Sequence, residues 1–355
     1  MLRLKIKMML KKIIVPFTLI GITAIYLCCG KANTTATPPP PVTPPDTGFA
    51  KGADIGWLSE MEAAGKKFYD NSGAQKDCID LLKSKSINAI RLRVWVNPTD
   101  GWCNAADVVK QATRAHKKGM RIMIDFHYSD WWADPGKQNK PAAWKTLSFT
   151  ELKAALAAHT RDVLQQLYNA GITPEWVQVG NENDDGMLWE DGRASTNMAQ
   201  FAALIQSGYD AVKAVNSNIK VIVHISNGWN NSLFRWIFDG LKSNATQYDI
   251  IAMSLYPTVA NWRQLNQQCL DNMKDMISRY GKPVLISEVG MPWDAADSCK
   301  LFLQDIITKN KSLPNSNGLG VFYWEPQSYG NWKGYTLGAF DNSGKPTAAM
   351  DAFKD

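Results

Sequence analysis

Cysteine is scarce in this sequence, and none of its cysteines or histidines carries the short spacing of a zinc site. Beyond Cys28 and Cys29 near the N-terminus, only Cys78, Cys103, Cys269 and Cys299 occur. Four in the body are too few for a disulfide scaffold, although an exported chain permits disulfides and three pairings are formally possible. A glycine-rich phosphate turn is missing too. The first β-type run, "GADIGWLSEME", has no such turn, which counts against a doubly wound nucleotide-binding sheet. "EVGMPW" and "YWEPQS", which end the last two runs, lack the phosphate loops expected of a barrel acting on phosphorylated metabolites. Nor is there a real surplus of charge. The chain has 39 Lys and Arg against 33 Asp and Glu, but five of the basic residues and no acidic one fall in the first twelve positions. The remainder is nearly neutral, so no nucleic-acid partner is expected.

Those first residues are a separate object. "MLRLKIKMMLKK" followed by "IIVPFTLIGITAIYLC" has the layout of a secretory signal, with an apolar core short for a membrane span. Residues 1–28 are therefore expected to be a signal peptide. Cys28 and Cys29 then lead into "GKANTTATPPPPVTPPDTG", a Pro- and Thr-rich stretch with little to form a core. Residues 29–48 are read as a tether, in the arrangement of a bacterial lipoprotein held at the cell surface or outer membrane by an acylated cysteine, simple secretion being the alternative. The folded body is expected over 49–355, and nothing in it suggests more than a monomer.

From Lys51 onward, short β-branched apolar runs alternate with segments of helical period. The runs are "GADIGW", "INAIRLRVWV", "RIMIDFHY", "WVQVGNE", "KVIVHISN", "IIAMSLYP", "PVLISEVG" and "GVFYWEP". Among the helical segments, "SFTELKAALAAHTRDVLQQLYNAG" opens with capping-box spacing between Ser148 and Glu151 and stops at Gly171. "AADVVKQATRAHKKG" and "WRQLNQQCLDNMKDMISRYG" are two others. Near-continuously apolar strands separated by helices imply a parallel sheet covered on its outer face. Eight such units predict an α/β fold with a single (β/α)8 TIM barrel.

In such a barrel the active site lies at the C-terminal ends of the strands. The ends here are polar and aromatic: Asp54, Arg93, Trp95, Asp125, His127, Tyr128, Asn181, Glu182, Asn227, Tyr256, Glu288, Trp324 and Glu325. Glu182 closes the fourth run and Glu288 the seventh, and these strands face one another across the mouth. Two opposed carboxyls suit glycoside hydrolysis, one protonating the leaving oxygen and one ionised beneath the anomeric carbon. With Arg93 as the charge that holds a carboxylate, Glu288 takes the ionised role and Glu182 the acid/base role. Taken singly, each residue also has a plain reading: a helix cap for Asn181 and Glu182, a buried ion pair for Asp125 and Arg93, a structural histidine for His127. One site explains all the strand ends together. Fourteen tryptophans strengthen it, since sugar faces pack on aromatic planes. Trp132 and Trp324 are expected as sugar platforms, and Trp57, Trp176, Trp236 and Trp262 as core or helix residues.

"GADIGWLSEMEAAGKKFYD", "RLRVWVNP", "DFHYSDWWADPGKQNKPAAW", "VQVGNENDDGMLWEDG" and "YWEP" resemble, in order, the signatures of glycoside hydrolase family 53, the endo-β-1,4-galactanases of clan A. The resemblance runs from Lys51 to Phe353. It implies Glu182 as acid/base, Glu288 as nucleophile, Asn181 on the 2-hydroxyl of the cleaved sugar, and Arg93 and Tyr256 flanking the nucleophile. His127, Asp130, Trp132 and Trp324 would line the sugar subsites. The implied substrate is the β-1,4-galactan of pectin and type I arabinogalactan, hydrolysed with retention and without a cofactor. Some relatives bind calcium near the nucleophile loop, but "SEVGMPWDAADSCK" supplies only Asp294 and Asp297, so no metal is expected. "NDD" at 183–185 departs from the family on the leaving-group side. A clan A enzyme for mannan, xylan or glucan is the alternative, followed by a noncatalytic glycan-binding protein.

Overall fold

The computed structural model describes residues 48–354. The expected signal peptide and the tether as far as residue 47 lie outside them. Eight parallel strands form a closed barrel: β1 (Ala50–Asp54), β2 (Ala89–Val94), β3 (Arg121–Phe126), β4 (Trp176–Val179), β5 (Lys220–Ile225), β6 (Ile250–Leu255), β7 (Val284–Val289) and β8 (Gly318–Trp324). β1 closes the ring, pairing with β2 through Gly52 and Ala89 and with β8 through Gly52 and Phe322. The expected (β/α)8 barrel is the fold.

Helices α1 (Leu58–Ala63), α2 (Cys78–Ser84), α3 (Ala105–Lys117), α4 (Phe149–Asn169), α5 (Ala194–Val215), α6 (Asn231–Ser243), α7 (Trp262–Tyr280) and α8 (Ala296–Lys311) wrap the barrel. Their boundaries follow local chemistry. Ser148 and Glu151 form the expected capping box of α4, each side chain serving the other's backbone N–H. α7 ends where Gly281 takes a left-handed conformation (φ 64°) that a side chain would strain. α4 buries Leu152, Leu156, Thr160, Val163, Leu164 and Leu167 at helical spacing and leaves its other face wet. A short hairpin, Phe68–Tyr69 with Gln75–Lys76, lies between α1 and α2 and was not foreseen from the sequence.

Strand residues alternate between two environments. Outward side chains such as Ile90, Leu92, Ile124, Val177, Val223 and Leu255 belong to the core shared with the helices. Inward ones at the lower end of the barrel, including Ala50, Ala89, Met123, Trp176, Ile222, Leu285 and Phe322, form a separate apolar cluster. Size is matched there: a Cβ at Gly52 would stand 2.0 Å from the Phe322 ring, so the ring fills space that only a glycine leaves. Two residues further along β2, β3, β4, β5 and β6 the same face turns polar, with Arg91, Asp125, Gln178, His224 and Ser254 all buried. The lumen is thus an apolar plug beneath a polar floor.

Cys78, Cys103, Cys269 and Cys299 are all buried and free, so none of the formally possible disulfides is present. Among the described residues no helix is long and apolar enough to cross a membrane. Asp294 lies in the 3-10 turn Trp293–Ala295 and Asp297 in the first turn of α8. Among the described residues no three His, Cys, Asp or Glu side chains gather as metal ligands.

Candidate active site

Glu288 reaches the lumen because β7 carries a bulge. Leu285 pairs with Ala252 on the inner face and Ile286 with Met253 on the outer face, but Glu288, not Ser287, pairs with Ser254. Strict alternation would have set Glu288 opposite Leu255 in the helix layer. The extra residue turns it inward, and Val289 then resumes the outward face opposite Leu255. Backbone strain gathers at the same rim. Tyr128, Glu182, Asn227 and Glu325, each just beyond a strand, have φ between 44° and 49°, a region L-residues seldom occupy. Four such conformations at one mouth mark a site whose geometry is imposed by its surroundings.

Arg91 organises the floor. Its guanidinium pairs with Asp54 at 2.8 Å, Asp125 at 2.9 Å and Glu288 at 2.8 Å, and donates to Asn181 Oδ1 at 2.9 Å. The sequence reading assigned the nucleophile's cation to Arg93, and the structure corrects it. Arg93 lies on the same inward face two residues nearer the rim, where it pairs with Glu325 and stands 3.7 Å from Asp54. Its guanidinium is also enclosed by the rings of Trp57, Trp95 and Trp132, 4.4 to 5.5 Å away. Arg93 is the arginine of "RLRVW" nearest the strand end, but the deeper Arg91 is the one that meets Glu288. Tyr256 is where it was expected, its hydroxyl donating to Glu288 Oε2 at 2.8 Å.

The two glutamates have unequal surroundings. Burial raises Glu288 to about 7, against the opposing pull of the Arg91 guanidinium and the Tyr256 hydroxyl. Glu182 is driven further, well above the ordinary carboxyl range, by burial and by the negative charge of Glu288, with the Ser254 hydroxyl donating to Oε1 at 2.7 Å in opposition. Of a coupled pair, Glu182 therefore keeps the proton and Glu288 gives it up.

Above them opens a cavity of about 530 Å³. Asn181, Glu182, Glu288, Tyr256, His127, Trp132 and Trp324 all line it, as anticipated. Two of these have their polar atoms engaged. His127 Nδ1 accepts from the Trp95 indole N–H and the Ala133 backbone N–H, so Nε2 carries the hydrogen toward Asp125, 3.1 Å away. It offers substrate its ring and no free nitrogen. Asn181 gives Nδ2 to the Ala133 carbonyl at 2.9 Å, which leaves its second amide hydrogen for a sugar hydroxyl. Asp130 is not part of the lining. Its oxygens accept the backbone N–H groups of Asn97 and Ala142, which ties two loops together and replaces the subsite role expected of it. Trp57, expected in the core, is buried and also lines the cavity, where its ring meets Trp132, Trp324 and Tyr335 at 5.1 to 5.7 Å. Tyr335, Lys333 and Asp134 complete the wall and had no strand-end signal, because they come from the loops after β8 and β3. Tyr128, in the strand-end set, is structural: its hydroxyl lies 2.8 Å from Thr160 of α4. A second cavity, about 780 Å³, opens at the opposite mouth beside Trp176 and Arg121 and holds no comparable pair of glutamates.

An open, aromatic-walled trough over one carboxyl that holds a proton and one that releases it defines a β/α-barrel glycoside hydrolase. Known proteins agree. The profile described as Glycosyl hydrolase family 53 matches residues 50–301 and 296–353, and the chain belongs to this family. The endo-beta-1,4-galactanase of Bacillus subtilis is 33% identical over 307 residues, covering 78% of this chain and 70% of its own. An arabinogalactan endo-beta-1,4-galactanase of Cellvibrio japonicus is 33% identical over 311 residues, covering 79% of this chain and 81% of its own. Among solved structures, a fungal beta-1,4-galactanase superposes with a TM-score of 0.80 at 28% identity, over 86% of this chain and 99% of its own.

Proposed function

We propose that the protein is a retaining endo-β-1,4-galactanase acting on pectic galactan and type I arabinogalactan. Family membership supports the reaction class, and the galactanase relatives support the substrate. The observation that carries the assignment of roles is the asymmetry of the pair: among the described residues the Glu288 carboxyl is bonded by Arg91 and Tyr256, and that of Glu182, carried on a strained turn, by the Ser254 hydroxyl alone. The Glu288 carboxylate attacks the anomeric carbon as the bond to the leaving oxygen breaks and that oxygen takes the Glu182 proton. The Glu182 carboxylate then draws a proton from water, whose oxygen displaces Glu288 and restores both groups. The cycle balances with water alone, and no cofactor is invoked. Asn181, with a spare amide hydrogen, would hold the 2-hydroxyl, while Trp132, Trp324 and Trp57 would stack on sugar faces.

The reading extends to the whole chain: export by residues 1–28, a tether over 29–48 anchored through an acylated cysteine at the cell surface or outer membrane, and a monomeric catalytic body over 49–355. Incubating that body with linear β-1,4-galactan, mannan, xylan and glucan, and following products over time, tests the function. Early release of short galacto-oligosaccharides from galactan alone is expected. Cleavage of another glycan in its place would keep the carboxyl pair and overturn the substrate, whereas binding to galactan without cleavage would overturn the enzyme reading.

A further inference from the structure

The hydroxyl that touches Glu182 belongs to a hydrogen-bonded chain which begins on β4 and crosses β5 and β6. Gln178 is oriented by its neighbours: its Oε1 accepts from Arg91 at 3.2 Å and its Nε2 donates to Asp125 Oδ1 at 2.6 Å. Of the acceptors left for the second amide hydrogen, His224 Nδ1 is nearest at 3.0 Å, with the Gly180 carbonyl and Asn181 Oδ1 each at 3.2 Å. The backbone N–H of Glu182 points at the same nitrogen from 3.4 Å. Asn181 Oδ1, 3.1 Å from that nitrogen, is already served by Arg91. Two donors aimed at Nδ1 make it the acceptor, and the imidazole hydrogen must sit on Nε2. Nε2 lies 2.8 Å from Ser254 Oγ. Because Ser254 receives that hydrogen, its own hydroxyl hydrogen is directed at Glu182 Oε1, 2.7 Å away.

Resting on the acid/base reading of Glu182, we infer that His224 and Ser254 are positioning residues that reserve Glu182 Oε1 as an acceptor and so place the catalytic proton on Oε2. A carboxyl with two equivalent oxygens can be protonated on either, and only one faces the glycosidic oxygen. Filling Oε1 with a hydroxyl that has no choice of direction removes the unproductive form, and among the described residues no protein donor occupies Oε2. The same bond stabilises the carboxylate when Glu182 must act as base on water. The chain is buried along its length, with His224 fully enclosed and Ser254 nearly so, which holds its direction. The charged and titratable groups facing Glu182 are Glu288 from β7, Arg91 from β2, Asp184 from its own loop and Tyr256 after β6. Those facing His224 are Arg91, Asp125 and His127. Burial and Arg91 keep His224 neutral, so the chain keeps one direction through the working range.

Ser254→Ala, Ser254→Thr and Glu182→Ala should be compared with the parent on galactan and on a dinitrophenyl β-1,4-galactobioside, whose leaving group needs no proton. Ser254→Ala is expected to move the alkaline limb of kcat/KM on galactan upward by about one pH unit, the size expected for loss of one hydrogen bond to a carboxylate. It should also lower kcat on galactan roughly tenfold or more while changing the glycosylation burst on the aryl substrate little. Ser254→Thr, which keeps the hydroxyl, should restore the limb. Nitrogen NMR of histidine-labelled protein should show His224 as the neutral Nε2–H form in the parent. An unmoved limb in a well-folded Ser254→Ala variant, equal losses on both substrates, or an Nδ1–H tautomer would each overturn the relay. Glu182→Ala reports separately: full activity on galactan in that variant would overturn the acid/base reading itself.

Discussion

Glu182 and Glu288 differ in what a substitution removes. Glu288→Ala deletes the nucleophile and should reduce kcat on every substrate by more than about 10⁴-fold, with oligosaccharide binding retained by calorimetry. Glu182→Ala should be nearly as damaging on galactan yet keep measurable turnover on an activated aryl galactobioside. Equal loss on both would remove the role assignment. The two arginines separate just as cleanly. Arg91→Met would strand Asp54, Asp125 and Glu288 in a buried site, and a urea midpoint should report a loss of about 3 to 5 kcal/mol together with the loss of activity. Arg93 touches Glu325 and three tryptophans but not Glu288. Arg93→Lys loses the planar stacking on Trp132 and Trp57, so KM on galactan should rise about five- to tenfold with a smaller effect on kcat.

Strand packing explains why some of this could be read from sequence and some could not. Eight apolar runs, their intervening helices and the Ser148 capping box all rest on local pattern, and each became the element expected. Placing Glu182 and Glu288 at a common mouth needed only the barrel's topology. Depth was harder. Arg91 and Arg93 share one face of β2, and nothing local says which meets the nucleophile, since that depends on the stagger of β7 against β2. The bulge at Ser287 is equally silent, because "VLISEV" read by strict alternation turns Glu288 outward. Asp130 departs from its expected subsite role for a related reason, and Trp57 adds a cavity face to its core position: proximity to a strand end does not tell whether a side chain serves the cavity or the loop that frames it. Packing at the lower end of the lumen is testable directly. Gly52→Ala would drive a methyl into the Phe322 ring and should cost about 1 to 3 kcal/mol. Phe322→Leu should cost stability alone by opening space, yet recover part of the loss when combined with Gly52→Ala. Simple additivity in that double-mutant cycle would show that the contact does not limit the β1–β8 closure.

Across the whole lumen the charges do not balance, and that imbalance sets the working pH. Asp54, Asp125, Glu288 and Glu325 share a water-poor space with Arg91 and Arg93, with half-buried Glu182 at its edge, so the last carboxyls to ionise hold their protons late. Glu288 and Glu325 are each raised to about 7 with burial as the leading cause, and burial with the Glu288 charge pushes Glu182 well above the ordinary carboxyl range. Catalysis needs Glu288 ionised and Glu182 protonated. The profile of kcat/KM against pH should therefore be a bell whose acid limb lies above the ordinary glutamate value of 4.5, with the alkaline limb set by loss of the Glu182 proton. The sign of a charge change follows. Asp54 repels an ionised Glu288 while sharing Arg91 with it, and in Asp54→Asn the amide oxygen can still accept from Arg91. Removing that negative charge stabilises the Glu288 carboxylate, so the acid limb should move to lower pH by about half a unit. A shift to higher pH, or none in a variant that still folds and turns over galactan, would mean that the acid limb belongs to a group other than Glu288.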